Sequence, residues 1–164
     1  MKAQCVIIIG PESSGTRLVK SIFLLNGYAG SPEHAERWGN SVSDYAAPSP
    51  DEYPAIVWRF SYPMGGETPR PDYASLLAAR NGYDVLFLIC VRDGWCSSQH
   101  GNSDRKNLES YLRLFAHVVS VDFPARVISY EHLCAVGVGA FRDLPLILPI
   151  TTAPPLVNGN DKYR

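Results

Sequence analysis

The chain has 164 residues, of which 46% are hydrophobic, and this length and composition suit one domain with a buried core. Its formal net charge is −1, which excludes the overall positive field that attracts nucleic acid or an anionic membrane surface. We therefore expect neither a nucleic-acid partner nor a membrane partner. Any site for an anion therefore depends on a local group of donors rather than on the overall charge of the chain.

The cysteines and the N-terminal sequence indicate a reducing compartment. The four cysteines form no CxxC pair and no metal-ligand spacing with histidine, and Cys5 and Cys90 lie within apolar runs typical of buried strands. The apolar run near the N-terminus is too short for a signal peptide, and no stretch is long enough for a membrane span. We expect free thiols, no metal site and a cytoplasmic location.

The first predicted elements are a strand, a glycine-rich loop and a helix. The β-branched run Cys5–Ile9 predicts a strand that is buried on both faces and stops at a glycine-proline pair. Over Thr16–Leu25 the apolar residues fall on one stripe, which predicts a helix closed by Asn26-Gly27. The segment Gly30–Pro54 is polar and without periodicity, which predicts a long irregular segment.

Strands and helices alternate through the rest of the chain, up to a last fifteen residues that predict an irregular tail. This alternation is typical of an α/β fold in which helices flank both faces of a central parallel sheet, here as a single domain over residues 1–164. The remaining strands are predicted at Ala55–Phe60, Val85–Val91 and Arg126–Ser129, and the remaining helices at Pro71–Asn81 and about Asp104–Val121.

The loop GPESSGTR at Gly10–Arg17 predicts a phosphate site. A strand that turns into a helix directs several backbone N–H groups and the positive end of the helix dipole to one point, and hydroxyl groups add donors. The Gly-x4-Gly spacing matches a nucleotide triphosphatase P-loop, but Thr16 and Arg17 stand where that motif has Lys and Ser/Thr. A kinase or ATPase with a degenerate P-loop is therefore an alternative that lacks a phosphate-binding lysine and a magnesium ligand.

Three segments, in this order, resemble the sulfotransferase family. IIIGPESSGTRLV resembles its 5′-phosphosulfate loop, Arg92-Asp93 after VLFLICV resembles its Arg-Asp/Asn element at the 3′-phosphate, and RVISYEHL is similar to its Tyr-Glu-Asp-Leu segment. The resemblance implies a three-layer P-loop fold that binds 3′-phosphoadenosine 5′-phosphosulfate as co-substrate. It also implies transfer of the sulfuryl group, without a metal, to an unidentified hydroxyl or amine of a small molecule or glycan.

The resemblance implies binding roles for individual residues. Arg92 would pair with the 3′-phosphate through its planar guanidinium. The serine that accompanies this arginine in the family falls on His100 by spacing, or on Ser98 if two residues are deleted, and Ser97 is also close; the choice stays open. A basic tail residue, Lys162, would close over the nucleotide. The 5′-phosphosulfate would be surrounded by Gly10, Ser13, Ser14, Gly15, Thr16 and Arg17.

The catalytic roles are carried over in the same way. The family's loop lysine falls on Ser13, so the cation would come from Arg17, Lys20 or Arg59, and WRFSYP aligns Arg59 with the sulfuryl group. The family uses His or Glu as the base, and the segment after the first helix, SPEHAERW, supplies Glu33 and His34 as candidates. Because the loop lysine is missing, a non-catalytic nucleotide-binding module is a third alternative.

Overall fold

The structure is a computed structural model that describes residues 2–11, 14–30, 48–61, 70–93 and 122–158, together with Ala116 and Ser120. A short 3₁₀ turn, Gly137–Phe141, follows the last described helix. The strands are β1 (Ala3–Gly10), β2 (Ala55–Ser61), β3 (Tyr83–Val91) and β4 (Ala125–Ser129), and the helices are α1 (Thr16–Leu25), α2 (Arg70–Arg80) and α3 (Tyr130–Val136).

The four described strands form one parallel sheet in the order β2-β1-β3-β4. From β1 the chain passes through α1 to β2 on one side, and from β2 it returns through α2 to β3 on the other side of β1. The carboxyl ends of β1 and β3 are therefore neighbours from which the connections depart in opposite directions. In open parallel sheets, such a switch point is where ligands bind.

Helices cover both faces of the sheet. One apolar cluster joins α1 and α3 to the sheet through Val19, Phe23 and Leu133, and the other joins α2 to the opposite face through Ala78. Every residue of β1 is buried, because side chains on both of its faces meet a helix layer. This explains why the sequence of β1 is continuously apolar, and it confirms the predicted α/β architecture with a central parallel sheet between helices.

The predicted elements agree closely with the described ones. Helix α1 has the predicted bounds, while β1 and β3 begin two residues earlier than their apolar runs. The predicted helix at Asp104–Val121 lies mostly outside the described residues, although its Ala116 and Ser120 are helical. Among the described helices, none has the length and apolar character needed to cross a membrane.

Residues 145–158, called here the C-terminal segment, lack regular secondary structure, which was predicted from residue 150 onward. Their apolar side chains pack against the cluster of α1 and α3. The side chain of Asn26 donates to the carbonyl of Thr152 (2.7 Å) and accepts from the amide of Thr151 (2.8 Å). Farther along, the carbonyl of Val157 accepts from the hydroxyl of Tyr130 at 3.1 Å. The segment therefore returns the chain to the carboxyl edge of the sheet.

Candidate functional site

The loop between β1 and α1 turns sharply at the switch point. The amide of Ser14 donates to the carbonyl of Pro11 at 3.1 Å, which closes the turn. Gly15 follows in the left-handed conformation, with φ 90° and ψ 10°, and it supplies no capping side chain to α1. The first amides of a helix have no acceptor within the helix, and here they adjoin the positive end of a ten-residue helix dipole. This geometry suits an anion.

Gly10 lets the loop lie close against the end of β3. A Cβ atom at Gly10 would lie 2.7 Å from the carbonyl oxygen of Cys90 and would collide with the hydroxyl of Ser14. Because only glycine leaves this space open, the Ser14 hydroxyl lies over the backbone of β1 beside β3. The loop is thus seated between the two strand ends rather than held away from them.

The hydroxyl of Ser14 is the outstanding polar group of this loop. The residue is only 1% exposed, and its oxygen has no hydrogen-bond partner within the part of the chain that the structure describes. Leaving a buried hydroxyl without a partner costs about 1–3 kcal/mol, so such groups are rare in folded proteins. A ligand oxygen at the loop would satisfy it.

Arg92 follows β3 and lies against the aromatic ring of Tyr130. Its guanidinium carbon is 4.4 Å from the ring centroid, within the range of a cation–π interaction. The same ring contacts the loop between β1 and α1, because its Cδ2 atom is 2.9 Å from the position that a Cβ on Gly15 would occupy. The loop and the guanidinium of Arg92 therefore both contact the side chain of Tyr130.

The start of α3 is tied to the end of β3 through Glu131. One carboxylate oxygen of Glu131 accepts from the amide of Asp93 (3.0 Å), and the other accepts from the hydroxyl of Ser129 (2.8 Å). The Ser129 oxygen also accepts from the amide of His132 and so caps the helix. These bonds fix the backbone that carries Arg92. They also bring two carboxylates, those of Asp93 and Glu131, near a site proposed for anions.

Three basic residues lie on α1 or on β2, the strand that pairs with β1. Arg17 is exposed in the first turn of the helix, and Arg59 is half-buried on β2, in register with Ile8 of β1. Lys20 is only 2% exposed and lies one helical turn after Thr16. Side chains in a helix lean toward its N-terminus, which for Lys20 is the direction of the loop.

The structure brings together part of the predicted site. Gly10, Ser14, Gly15, Thr16 and Arg92 converge on the carboxyl ends of β1 and β3. Within the described ranges, no group of three or more His, Cys, Asp or Glu side chains is arranged to hold a metal ion. The predicted residues that lie outside the described residues are Ser13, Glu33, His34, Ser97, Ser98, His100 and Lys162.

The contacts of Tyr130 and Glu131 were not predicted, although their segment was singled out. The contact follows from the register of the sheet, because Val91 and Ser129 pair at the ends of adjacent parallel strands. The next residues along these strands, Arg92 and Tyr130, therefore emerge side by side. Recognising this contact needs the strand order, which the sequence pattern does not supply.

A scan against models of known protein families gives no match to this chain, and a search among curated proteins gives none either. The function therefore has to be argued from the geometry of the site.

Proposed function

We propose that the chain binds 3′-phosphoadenosine 5′-phosphosulfate at the carboxyl ends of β1 and β3 and transfers its sulfuryl group to a hydroxyl or amine acceptor. The observation that carries the proposal is the Ser14 hydroxyl, which is buried and without a partner in the described part of the chain. It accompanies the left-handed Gly15 and the uncapped amino end of α1. Together these groups form a cradle for one phosphate-like group.

A second anion-binding group supports a nucleotide with two separated charged groups. Arg92 and Gly15 both contact the ring of Tyr130. In 3′-phosphoadenosine 5′-phosphosulfate, one ribose separates the 3′-phosphate from the 5′-phosphosulfate. A planar guanidinium suits a terminal phosphate because it can donate two parallel hydrogen bonds. An arginine that shares the Tyr130 ring with the loop thus suits a nucleotide that carries two separate charged groups.

The residues of the loop would assist transfer mainly by electrostatic stabilisation. Sulfuryl transfer leaves negative charge on the 5′-phosphate, and fixed amide and hydroxyl donors at that position stabilise it. The bound donor supplies the activated sulfuryl group. The acceptor hydroxyl needs a base, and the candidates remain Glu33 and His34, while Lys20, Arg17 and Arg59 are candidates for the cation. The acceptor itself is a small molecule or a glycan.

Calorimetric titration of the purified chain with adenosine 3′,5′-bisphosphate, and separately with ATP and Mg²⁺, tests the proposal. We expect the bisphosphate to bind more tightly, because Arg92 meets its 3′-phosphate. Sulfuryl transfer from the phosphosulfate donor to a panel of phenols, amines and glycans then tests catalysis. Preference for ATP with Mg²⁺ would indicate the kinase or ATPase alternative, and bisphosphate binding without transfer to any acceptor would indicate a non-catalytic binding module.

Replacing Ser14 with alanine tests the observation itself. The change removes an unsatisfied hydroxyl, so we expect the free energy of unfolding of the ligand-free chain to stay unchanged or to rise by about 1 kcal/mol. Bisphosphate affinity should fall about tenfold or more, since hydrogen bonds to charged groups contribute about 1.5–3 kcal/mol.

Ser21→Ala is the matched control for that variant. Ser21 lies within α1, seven residues after Ser14, but its hydroxyl already donates to the carbonyl of Leu18 at 2.8 Å. We expect this change to leave bisphosphate affinity as it is. Equal affinity losses in the two variants would contradict the role given to Ser14.

A further inference from the structure

We infer that Tyr130 is a positioning residue, whose ring holds the guanidinium of Arg92 ready for the second anionic group of the bound nucleotide. The inference rests on the proposed function. It assigns Tyr130 a role that acts through Arg92 rather than through the ligand.

The side chain of Tyr130 joins the phosphate loop, the end of β3 and the C-terminal segment. Its ring lies 4.4 Å from the guanidinium carbon of Arg92 and packs against Gly15. Its hydroxyl donates to the carbonyl of Val157 at 3.1 Å. The backbone of Tyr130 is the first residue of α3, which Ser129 caps. The ring is therefore held from several directions and presents a fixed face to Arg92.

A fixed aromatic face matters because a free arginine side chain has many rotamers. Ordering such a side chain at the moment of binding reduces affinity, whereas an arginine already held by its surroundings avoids that loss. The ring contacts only the face of the guanidinium plane, so the cation–π interaction itself uses none of the N–H groups at the edge of that plane. The Tyr130 ring can thus order Arg92 without occupying its donors.

The first test compares Tyr130→Leu with Tyr130→Phe. Leucine keeps an apolar side chain but removes the aromatic face, and phenylalanine keeps the face but loses the bond to Val157. We expect Tyr130→Leu to weaken adenosine 3′,5′-bisphosphate binding about 3- to 30-fold, in line with the strength of a cation–π interaction. Binding of adenosine 5′-monophosphate should change little in either variant, and Tyr130→Phe should retain most of the selectivity for the bisphosphate.

A double-mutant cycle separates positioning from direct contact. If Tyr130 acts through Arg92, the pair Arg92→Ala and Tyr130→Leu should lose no more bisphosphate affinity than Arg92→Ala alone. Independent losses that multiply in the double variant would overturn the inference, because they would show that Tyr130 acts on the ligand by another route. Equal losses of bisphosphate and monophosphate affinity in Tyr130→Leu would also overturn it, since a general distortion of the loop affects both ligands.

The outcomes distinguish this inference from the proposed function. If the unmodified chain binds no bisphosphate, the proposed function is wrong and the inference fails with it. If the chain binds bisphosphate and the cycle shows no coupling, only the inference is wrong. A nuclear magnetic resonance spectrum of the ligand-free chain gives the supporting result: the guanidinium protons of Arg92 should show an upfield ring-current shift that Tyr130→Phe retains and Tyr130→Leu abolishes.

Discussion

Gly15 combines a left-handed backbone with a close contact, so its replacement tests how tightly the loop is held. At φ 90° an alanine costs roughly 1–2 kcal/mol. Its Cβ would also lie 2.9 Å from Tyr130. We expect Gly15→Ala to lower the free energy of unfolding, measured by urea denaturation, by the backbone cost plus about 1–3 kcal/mol for overpacking.

Gly82 offers a control with nearly the same backbone. Its φ is 91°, but a Cβ there would meet only a carbon of Pro50, at an ordinary distance of 3.8 Å. Gly82→Ala should therefore show the backbone cost alone. If both variants lose the same stability, Tyr130 moves aside without cost, and the loop is not packed against α3 as described.

At the scale of single residues, the glycine spacing predicted a tight turn between β1 and α1, but not the side chains that contact it; the turn's role as a phosphate site stays a prediction. The spacing of Gly10 and Gly15 is a local signal, because both glycines belong to one turn between a strand and a helix. The contact of Arg92 with Tyr130 joins residues 38 positions apart. The orphan hydroxyl of Ser14 was predicted as a donor, but its burial depends on how closely β3 packs against the loop.

The C-terminal segment is an element held by side chains rather than by regular secondary structure. Asn26, which follows α1, holds this segment in place, because its side chain forms hydrogen bonds with the backbone of Thr151 and Thr152. The same side chain also donates to the carbonyl of Ile22, one turn earlier, at 2.7 Å. We expect Asn26→Ala to lower the free energy of unfolding by about 1–3 kcal/mol, because it removes bonds to the exposed backbone of Thr151 and Thr152 and to the half-buried carbonyl of Ile22, each contributing about 0.5–1.5 kcal/mol.

Asn81→Ala is the control that isolates the long-range bonds. Asn81 follows α2 and donates to the carbonyl of Leu77, one turn earlier, at 2.8 Å. It thus repeats the local bond of Asn26 without the bonds to a distant segment. Hydrogen exchange at the amides of Thr151 and Thr152 should accelerate in Asn26→Ala and remain slow in Asn81→Ala. If hydrogen exchange at these amides is unchanged in both variants, Asn26 does not hold the C-terminal segment in place.

A helix or strand could be predicted from the sequence where its own residues show a regular hydrophobic pattern. The stripe of α1 and the unbroken apolar runs of β1 and β3 are local patterns, and the structure confirms them. The packing of the C-terminal segment was not predictable in this way. Its bonds to Asn26 span about 125 positions, and its apolar residues have no regular spacing.

For the whole molecule, strand alternation predicted a parallel sheet but not the strand order. The order places β1 between β2 and β3, and only this arrangement sets Gly10 beside the end of β3. Right-handed crossovers to opposite sides of β1 place α1 and α2 on opposite faces of the sheet, where each packs in its own apolar cluster. The site at the switch point is therefore a property of the assembled sheet.

The buried acids of the core predict how the stability of the whole chain responds to alkaline pH. Burial raises the pKa of the Cys5 and Cys90 thiols well above their ordinary value. Burial, followed by the nearby Cys5, raises the pKa of Tyr83 from its ordinary value to about 12. The Tyr83 hydroxyl also donates to the carbonyl oxygens of Tyr53 (2.8 Å) and Pro48 (3.1 Å), and ionisation would remove the proton that both bonds need.

The sign of the effect follows from the protons bound in each state. Between the unfolded and folded pKa values, the folded chain keeps protons that the unfolded chain releases, so stability falls as pH rises. We expect the free energy of unfolding to be constant up to about pH 8.5, where unfolded thiols ionise. Above that it should fall by about 1.4 kcal/mol per pH unit for each buried thiol. Between about pH 10 and 12, Tyr83 adds to the fall.

Urea denaturation at a series of pH values from 7 to 11 measures how steeply the free energy of unfolding falls with pH. Single variants then show which residue causes each part of the fall. Cys90→Ala should flatten the fall that begins near pH 8.5, whereas Tyr83→Phe should leave that part and flatten only the part above about pH 10. Stability that rises with pH over this range would contradict the burial of these acids, because only groups with lowered pKa values in the folded state produce that sign.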